Sequence, residues 1–315
     1  MFYVAHRLFA AHDRRLGALV AGRLGAEVGY DQVFLPFCDT DEEDLQAEVK
    51  GRRLFELDLA RLSHLDGMLA VLHGPSLDDG VCMEIGYATA VGVPVIVLTT
   101  DFQAYGLSER GPALVFPDPL VQAVATEIVR AGRLGSPPTG CSDRFRAFDE
   151  RNQAQVRDAV DAAVRRLLGH ARASRKRRAA TVRTGDVAFC EPSPYQHGEA
   201  WERILAHLRA SAWRVRQATR LRPHGDPVTA THRDWNALAG SGLLLADVNG
   251  PETPPGAALM IGASLATGRR VIAVHTAPSW TFAHGREPNW RNLMIQYSVD
   301  ALLKDADALP GLFGR

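Results

Sequence analysis

Apolar residues fall along this chain in two alternating patterns. Short continuous runs have the length and composition of strands buried on both faces: Phe2-Tyr3-Val4-Ala5, Gln32-Val33-Phe34-Leu35-Pro36, Met68-Leu69-Ala70-Val71-Leu72 and Val95-Ile96-Val97-Leu98. Between them lie stretches at helical spacing, first Leu8 to Leu24 (Leu8, Leu16, Leu19, Val20, Leu24) and then Gly51 to His64. Asp78-Asp79-Gly80-Val81-Cys82-Met83-Glu84-Ile85-Gly86-Tyr87-Ala88 reads as a turn that opens into a third helix, with Gly92 and Pro94 as its stop signal. Ala113 to Phe116 is expected as the fifth strand and Pro119 to Ala131 as a closing helix. This order predicts an α/β fold: a doubly wound parallel sheet of flavodoxin or Rossmann-like type, covered by helices on both faces. Ligands bind such sheets beyond the carboxyl ends of the strands, where the turn at 78–80 falls.

Phe145 to Leu168 predicts a long amphipathic helix, and the basic run from Ala171 to Arg178 reads as a solvated linker. A second set of elements follows: a strand at Val187 to Cys190, a helix at Glu199 to Ala210, a strand at Trp213 to Gln217 and a helix at Leu293 to Leu303. This set repeats the first. Adding 176 to the position carries Asp58 onto Asp234, Gly80 onto Gly256, Ile85-Gly86 onto Ile261-Gly262 and Val95-Ile96 onto Val271-Ile272, with 13 identities in 41 pairs from 58–98. The shared residues are turn glycines and strand positions, so the repeat is one of fold. The carboxylates are not shared: Asp66 becomes Gly242, Asp78 becomes Pro254 and Glu84 becomes Met260. The organisation expected is a catalytic domain at 1–140, a helix and basic linker at 141–184, and a degenerate copy at 185–315, the two domains forming an internal pseudo-dimer.

A chain of 315 residues has room for two domains of about 100–200 residues each. Lys plus Arg and Asp plus Glu balance at 36 each, so no overall basic field draws nucleic acid, and a small-molecule partner fits better. No apolar run approaches the roughly 20 residues of a membrane span. The start, Met1-Phe2-Tyr3-Val4-Ala5, reads as a strand and not as a leader, which makes the expected location cytoplasmic. Cys38, Cys82, Cys141 and Cys190 form no C-x-x-C pair, so neither a zinc site nor a disulfide framework is expected.

Glu84 stands in the first turns of its helix, where backbone N–H groups favour the ionised form, and an ionised carboxylate facing a crevice is a candidate nucleophile. Plainer roles stay open for each: a cap for Asp78 or Asp79, a dipole partner for Glu84, a turn for Asp66, core packing for Tyr3.

Residues 1 to about 110 resemble the nucleoside 2-deoxyribosyltransferases. The likeness rests on Tyr3-Val4-Ala5 with Leu8-Phe9, Phe34-Leu35-Pro36, Asp58-Leu59 with Asp66 eight residues on, and Asp78-x-Gly80-x-x-x-Glu84-Ile85-Gly86-Tyr87-Ala88. It implies that Glu84 attacks the anomeric carbon, Asp66 handles the proton of the base, Tyr3 sits against sugar and nucleophile, and Asp78 holds the 5′-hydroxyl, with Gly80 and Met83 among the substrate contacts. No cofactor or metal is implied. His6-Arg7 departs from the family's usual Gly-Pro pair. A related branch that hydrolyses nucleoside monophosphates has a serine six residues before the nucleophile. Asp78 stands there in this chain, which favours a free 5′-hydroxyl, while Arg7 could still supply a counter-charge to a phosphate. In the family a neighbouring subunit's Asn-Leu-Met completes the site. The second half here carries Arg291-Asn292-Leu293-Met294, so Asn292 is expected either to reach the site of Glu84 or simply to cap the following helix. The expected activity is transfer of a 2-deoxyribosyl group between bases. The alternatives are hydrolysis of a nucleoside or nucleoside 5′-monophosphate, and a non-catalytic nucleotide sensor. Pairing of whole chains into a further homo-oligomer is left open.

Overall fold

A computed structural model describes the chain except for residues 41–49, 75, 104, 106–113, 137–141, 174–184, 197, 221–225, 277–290 and 314–315. The basic run after Ala173 lies outside the described residues. The first half runs β1 (Phe2–Ala5), α1 (Ala11–Val28), β2 (Val33–Phe34), α2 (Lys50–Leu62), β3 (Gly67–Val71), α3 (Asp79–Ala90), β4 (Val95–Thr99), α4 (Pro119–Val124), β5 (Glu127–Arg130) and α5 (Arg144–Ala173). The second runs β6 (Val187–Glu191), α6 (Gly198–Ala210), β7 (Arg214–Gln217), α7 (Pro227–Ala239), β8 (Leu243–Asp247), α8 (Pro255–Thr267), β9 (Arg270–Val274), α9 (Leu293–Gln296) and β10 (Ala301–Leu303). Among the described residues the strands form two five-stranded parallel sheets, ordered β2-β1-β3-β4-β5 and β7-β6-β8-β9-β10. Both follow the 2-1-3-4-5 order of flavodoxin-like sheets.

Three of the expected elements are corrected. Leu114 to Phe116 is loop, and the fifth strand is Glu127–Arg130, inside the helix expected at 119–131. The Asp118 cap and Pro119 do start a helix, but it lasts six residues. Thr126 then donates its N–H to the Val95 carbonyl, and the β-branched pair Ile128-Val129 joins β4. Likewise the helix expected over 293–303 is a single turn, α9, followed by β10 beside β9.

Side chains alternate across each sheet. In β1, Val4 faces a core closed by α1 and the apolar stripe of α5 (Val160, Ala163, Val164, Leu167), so the helix expected in the connecting segment covers the first sheet. Tyr3 and Ala5 face the other way, into an apolar cluster that continues through α3 into the second half, taking in Phe189, Leu244, Met260 and Ile261. Within that cluster α3 and α8 cross at their glycines. A methyl on Gly86 would stand 1.9 Å from the Leu259 carbonyl oxygen, and one on Gly262 would stand 1.9 Å from the Met83 carbonyl oxygen. Only glycine lets the two backbones approach this closely. Gly86 and Gly262, one of the pairs repeated at an offset of 176, therefore build this crossing.

Candidate active site

The strand-turn-helix unit β3-α3 sets the site. Asp78 caps α3, its carboxylate accepting the Val81 N–H at 2.9 Å, and this fixes the direction in which the first turns of the helix present their side chains. Glu84 is 6% exposed, on the face that looks back over β1, where the Tyr3 hydroxyl donates to its Oε1 at 2.6 Å. Glu84 lines a cavity of about 180 Å³. The cavity is lined by Asp58, Asp78, Gly80 and Glu84 and by the β1–α1 segment at His6, Leu8 and Phe9, with Asn292, Leu293 and Met294 from the second half.

Asn292 lines the same cavity as Glu84 and also caps a helix. Its Oδ1 caps α9 by accepting the Met294 N–H at 2.9 Å, and its Nδ2 lies over Gly80, 2.7 Å from where a methyl there would stand. Gly80 is thus the residue that admits a side chain from the other half. Asp79 reaches the opposite way and accepts the Thr253 N–H at 3.2 Å.

Three expected site residues are not brought to the cavity. Asp66 immediately precedes β3, at the amino end of the strand and away from the crevice, where it pairs with the Met1 ammonium group. Met83 is fully buried, because it follows Cys82 around α3 toward α8 and lies about 100° from Glu84. Arg7 is exposed near the mouth, 3.9 Å from Glu252 and over the Phe9 ring, so its charge already faces a carboxylate. The residue that the expectation missed is Asp58. It lies on the buried stripe of α2, Leu54-Asp58-Leu62, and is 5% exposed. A carboxylate in the middle of an apolar i, i+4, i+8 stripe was the available signal.

Burial dominates the electrostatics. It pushes the Asp78 carboxyl up to about 6, with the neighbouring charges of Asp79 and Glu252 adding to the rise, and the Val81 N–H and Arg7 opposing it. Asp79 is raised by burial as well. His6 is lowered by burial, so its imidazole is neutral near pH 7, with Nδ1–H donating to the Arg7 carbonyl at 2.7 Å.

The corresponding place in the second half is closed. By strand register Phe189 answers to Tyr3, and by the offset Met260 answers to Glu84, both fully buried. The Arg220 guanidinium, with no exposed surface, bonds Asp118 at 2.9 Å and Glu191 at 2.9 Å and lies 3.6 Å from Asp234. Asp118 caps α4 as Asn292 caps α9, and its carboxylate lies 2.4 Å from the point a methyl on Gly256 would occupy. Each half thus sends one helix-capping side chain to the glycine that opens the other half's central helix.

Fold and site together define a doubly wound α/β protein with a buried, tyrosine-anchored carboxylate at the carboxyl edge of its first sheet. Residues 2–131 match the family model described as nucleoside 2-deoxyribosyltransferase, so the resemblance read in the sequence holds for the first half. A crystal structure of a conserved protein from Enterococcus faecalis V583 aligns at 20% identity over 49% of this chain and 97% of the other, with a TM-score of 0.31, too distant a likeness to inform the site. No curated protein matches the chain.

Proposed function

We propose that the first half cleaves the N-glycosidic bond of a 2-deoxynucleoside through a glycosyl-Glu84 intermediate and passes the sugar to a second base. The supporting observation is the Tyr3–Glu84 hydrogen bond at a cavity that Glu84 lines with Asp58 and Asp78. A Glu84 oxygen attacks the anomeric carbon as the C–N bond breaks, its electron pair leaving with the base, which takes a proton from Asp58. Attack by a nitrogen of the incoming base then displaces Glu84, and that base returns a proton to Asp58. Two inversions give net retention. Asp78 and Asn292 hold the 5′-hydroxyl, and Asp58 takes the role that the resemblance gave to Asp66.

In this reading residues 1–140 form the catalytic domain, 141–184 a helix that packs on its sheet and a basic linker, 185–315 a copy that has kept the scaffold, and the pair an internal pseudo-dimer whose second member supplies Asn292. Among the described residues no helix is long and apolar enough to cross a membrane.

Incubation with a deoxynucleoside and a different free base is the decisive assay. Transfer yields a new nucleoside, hydrolysis yields only base and sugar, and a sensor yields no turnover. Glu84→Gln is expected to abolish turnover while leaving the melting temperature within a few degrees. An unchanged rate would overturn the assignment of the nucleophile.

A further inference from the structure

We infer that the cleft between β5 and α5 binds a nucleoside polyphosphate, at a site separate from the one built by Glu84 and independent of the reading above. β5 is the last strand of the first sheet, and where it meets α5 an open cleft of about 620 Å³ lies within the size range of small-molecule sites. Four arginines line it: Arg130 and Arg133 from the strand and the loop that follows, Arg151 and Arg166 from α5. One carboxylate, Asp158, lines it too.

Glu127 pairs with Arg166 and offsets its charge. The other three arginines are different. Arg130 donates to the carbonyls of Asp101 and Gln103 at 2.8 and 2.6 Å, Arg151 donates to those of Leu134 and Ser136 at 2.7 and 2.5 Å, and Arg133 is exposed. A carbonyl satisfies a donor without cancelling the charge behind it, and each of the two bonded guanidiniums keeps three of its five N–H groups. Arg130, Arg133 and Arg151 thus set three positive charges against the one negative charge of Asp158, in a chain whose total charges balance. The bonds from Arg151, with one from Gln155 to the Gly132 carbonyl, also tie the loop at 132–136 to α5. The cationic groups therefore stand in place before a ligand arrives.

Guanidinium forks match the oxygens of phosphate groups, and several forks suit several phosphates. The rest of the lining is mostly apolar, with Ile128, Val129, Ala154, Ala159 and Ala162. It offers a planar ring a surface to cover, which a bare anion does not use. Apolar burial is non-directional and does not discriminate among bases, so ATP represents the class.

The test is calorimetry on the full-length protein with ATP, tripolyphosphate and adenosine. ATP is expected to bind with a single site, and the other two at least about tenfold more weakly, since each lacks half of what the cleft recognises. Arg133→Gln should weaken ATP binding by about tenfold, the worth of a hydrogen bond between charged groups. Asp158→Asn should strengthen it by about threefold or more, a gain that damage to the fold cannot produce. Both positions are exposed, so both variants are expected to fold. An excess of deoxynucleoside should leave the ATP affinity unchanged. Absence of ATP binding, displacement of ATP by the deoxynucleoside, or an affinity that neither substitution moves would overturn the inference. Tripolyphosphate binding as tightly as ATP would overturn it too, because the apolar lining would then have no part. Failure of sugar transfer bears on Glu84 and leaves this site standing.

Discussion

Tyr3 and Glu84 act as one unit. A phenol at 2.6 Å from a buried carboxylate oxygen holds the other oxygen in a single orientation, and a hydrogen bond to a charged group is worth about 1.5–3 kcal/mol. Tyr3→Phe is therefore expected to lower kcat by roughly 10–100-fold with a smaller change in KM, measured by steady-state kinetics. The second half supports the pairing, because there both partners are apolar, Phe189 and Met260. Asp78 gives a pH-dependent prediction. Folding raises its carboxyl from 3.8 to about 6, so the stability it contributes is full below pH 3.8 and is lost as pH rises to about 6. Asparagine caps a helix as well as aspartate does. Asp78→Asn is expected to be more stable than the wild type by denaturant unfolding near pH 8, and no more stable near pH 3. In the wild type KM should fall as pH rises through about 6, as the carboxylate ionises to accept the 5′-hydroxyl, and this inflection should be absent in the variant. At this scale the places of Glu84 and Asp78 at the start of α3 follow from the strand-turn-helix pattern, whereas Tyr3, in β1, was singled out by the resemblance alone. The buried place of Asp58 was not read, because the resemblance was taken to put the acid eight residues further on, at Asp66. The buried stripe of α2, which carries Asp58, decides the matter only once α2 is seen to pack under α3.

Among elements, the crossing of α3 and α8 carries the most consequence. A methyl at Gly262 would meet the Met83 carbonyl oxygen at 1.9 Å, and backbone on both sides leaves nothing flexible to move. Gly262→Ala is expected to cost about 3 kcal/mol or more, at or above the top of the usual range for overpacking, read as a fall in the midpoint of denaturant unfolding. It should also lower kcat, although it lies in the half without the carboxylates, because Met83 immediately precedes Glu84 on α3. An active, equally stable variant would show that the helices can part. The repeat marks Gly86 and Gly262 as equivalent positions, but that the two helices cross at them is seen only in the structure. The last strand of each sheet was harder to read. Glu127-Ile128-Val129-Arg130 is an edge strand flanked by charges, and it looks like helix surface until its pairing with Ile96 to Thr99 is known. The apolar run Leu114 to Phe116 was the better strand by composition, yet it is loop, with Phe116 2% exposed in the core and the Val115 N–H held by Gln122.

Across the whole molecule, the two halves exchange one capping side chain each, with opposite results. Asn292 enters a cavity and leaves room beside Glu84, whereas Asp118 enters a place already filled by Arg220. Burial works against the charge of that arginine, but Asp118 and Glu191 hold its pKa well above the usual range, and Arg220 in turn keeps Asp118 low despite its burial. Removing one partner of such a cluster costs more than the cluster contributes, because the remaining charges stay buried and unpaired. Arg220→Ala leaves Asp118, Glu191 and Asp234 together in the interior, and is expected to destabilise the protein by about 3–5 kcal/mol by denaturant unfolding near pH 7. Glu191 is already raised by burial even with the arginine present, so without it these carboxyls take up protons on folding. The loss should therefore shrink as pH falls toward 4. Asp118 belongs to the first half and Glu191 to the second, so the same variant loosens the contact that seats α9 and Asn292 over Gly80. The variant is accordingly expected to raise KM at the intact Glu84 site, at a temperature where it remains folded, without touching any residue that lines the cavity. An Arg220→Ala protein that unfolds earlier but keeps the wild-type KM would mean that the second half holds Asn292 in place by the glycine crossing alone.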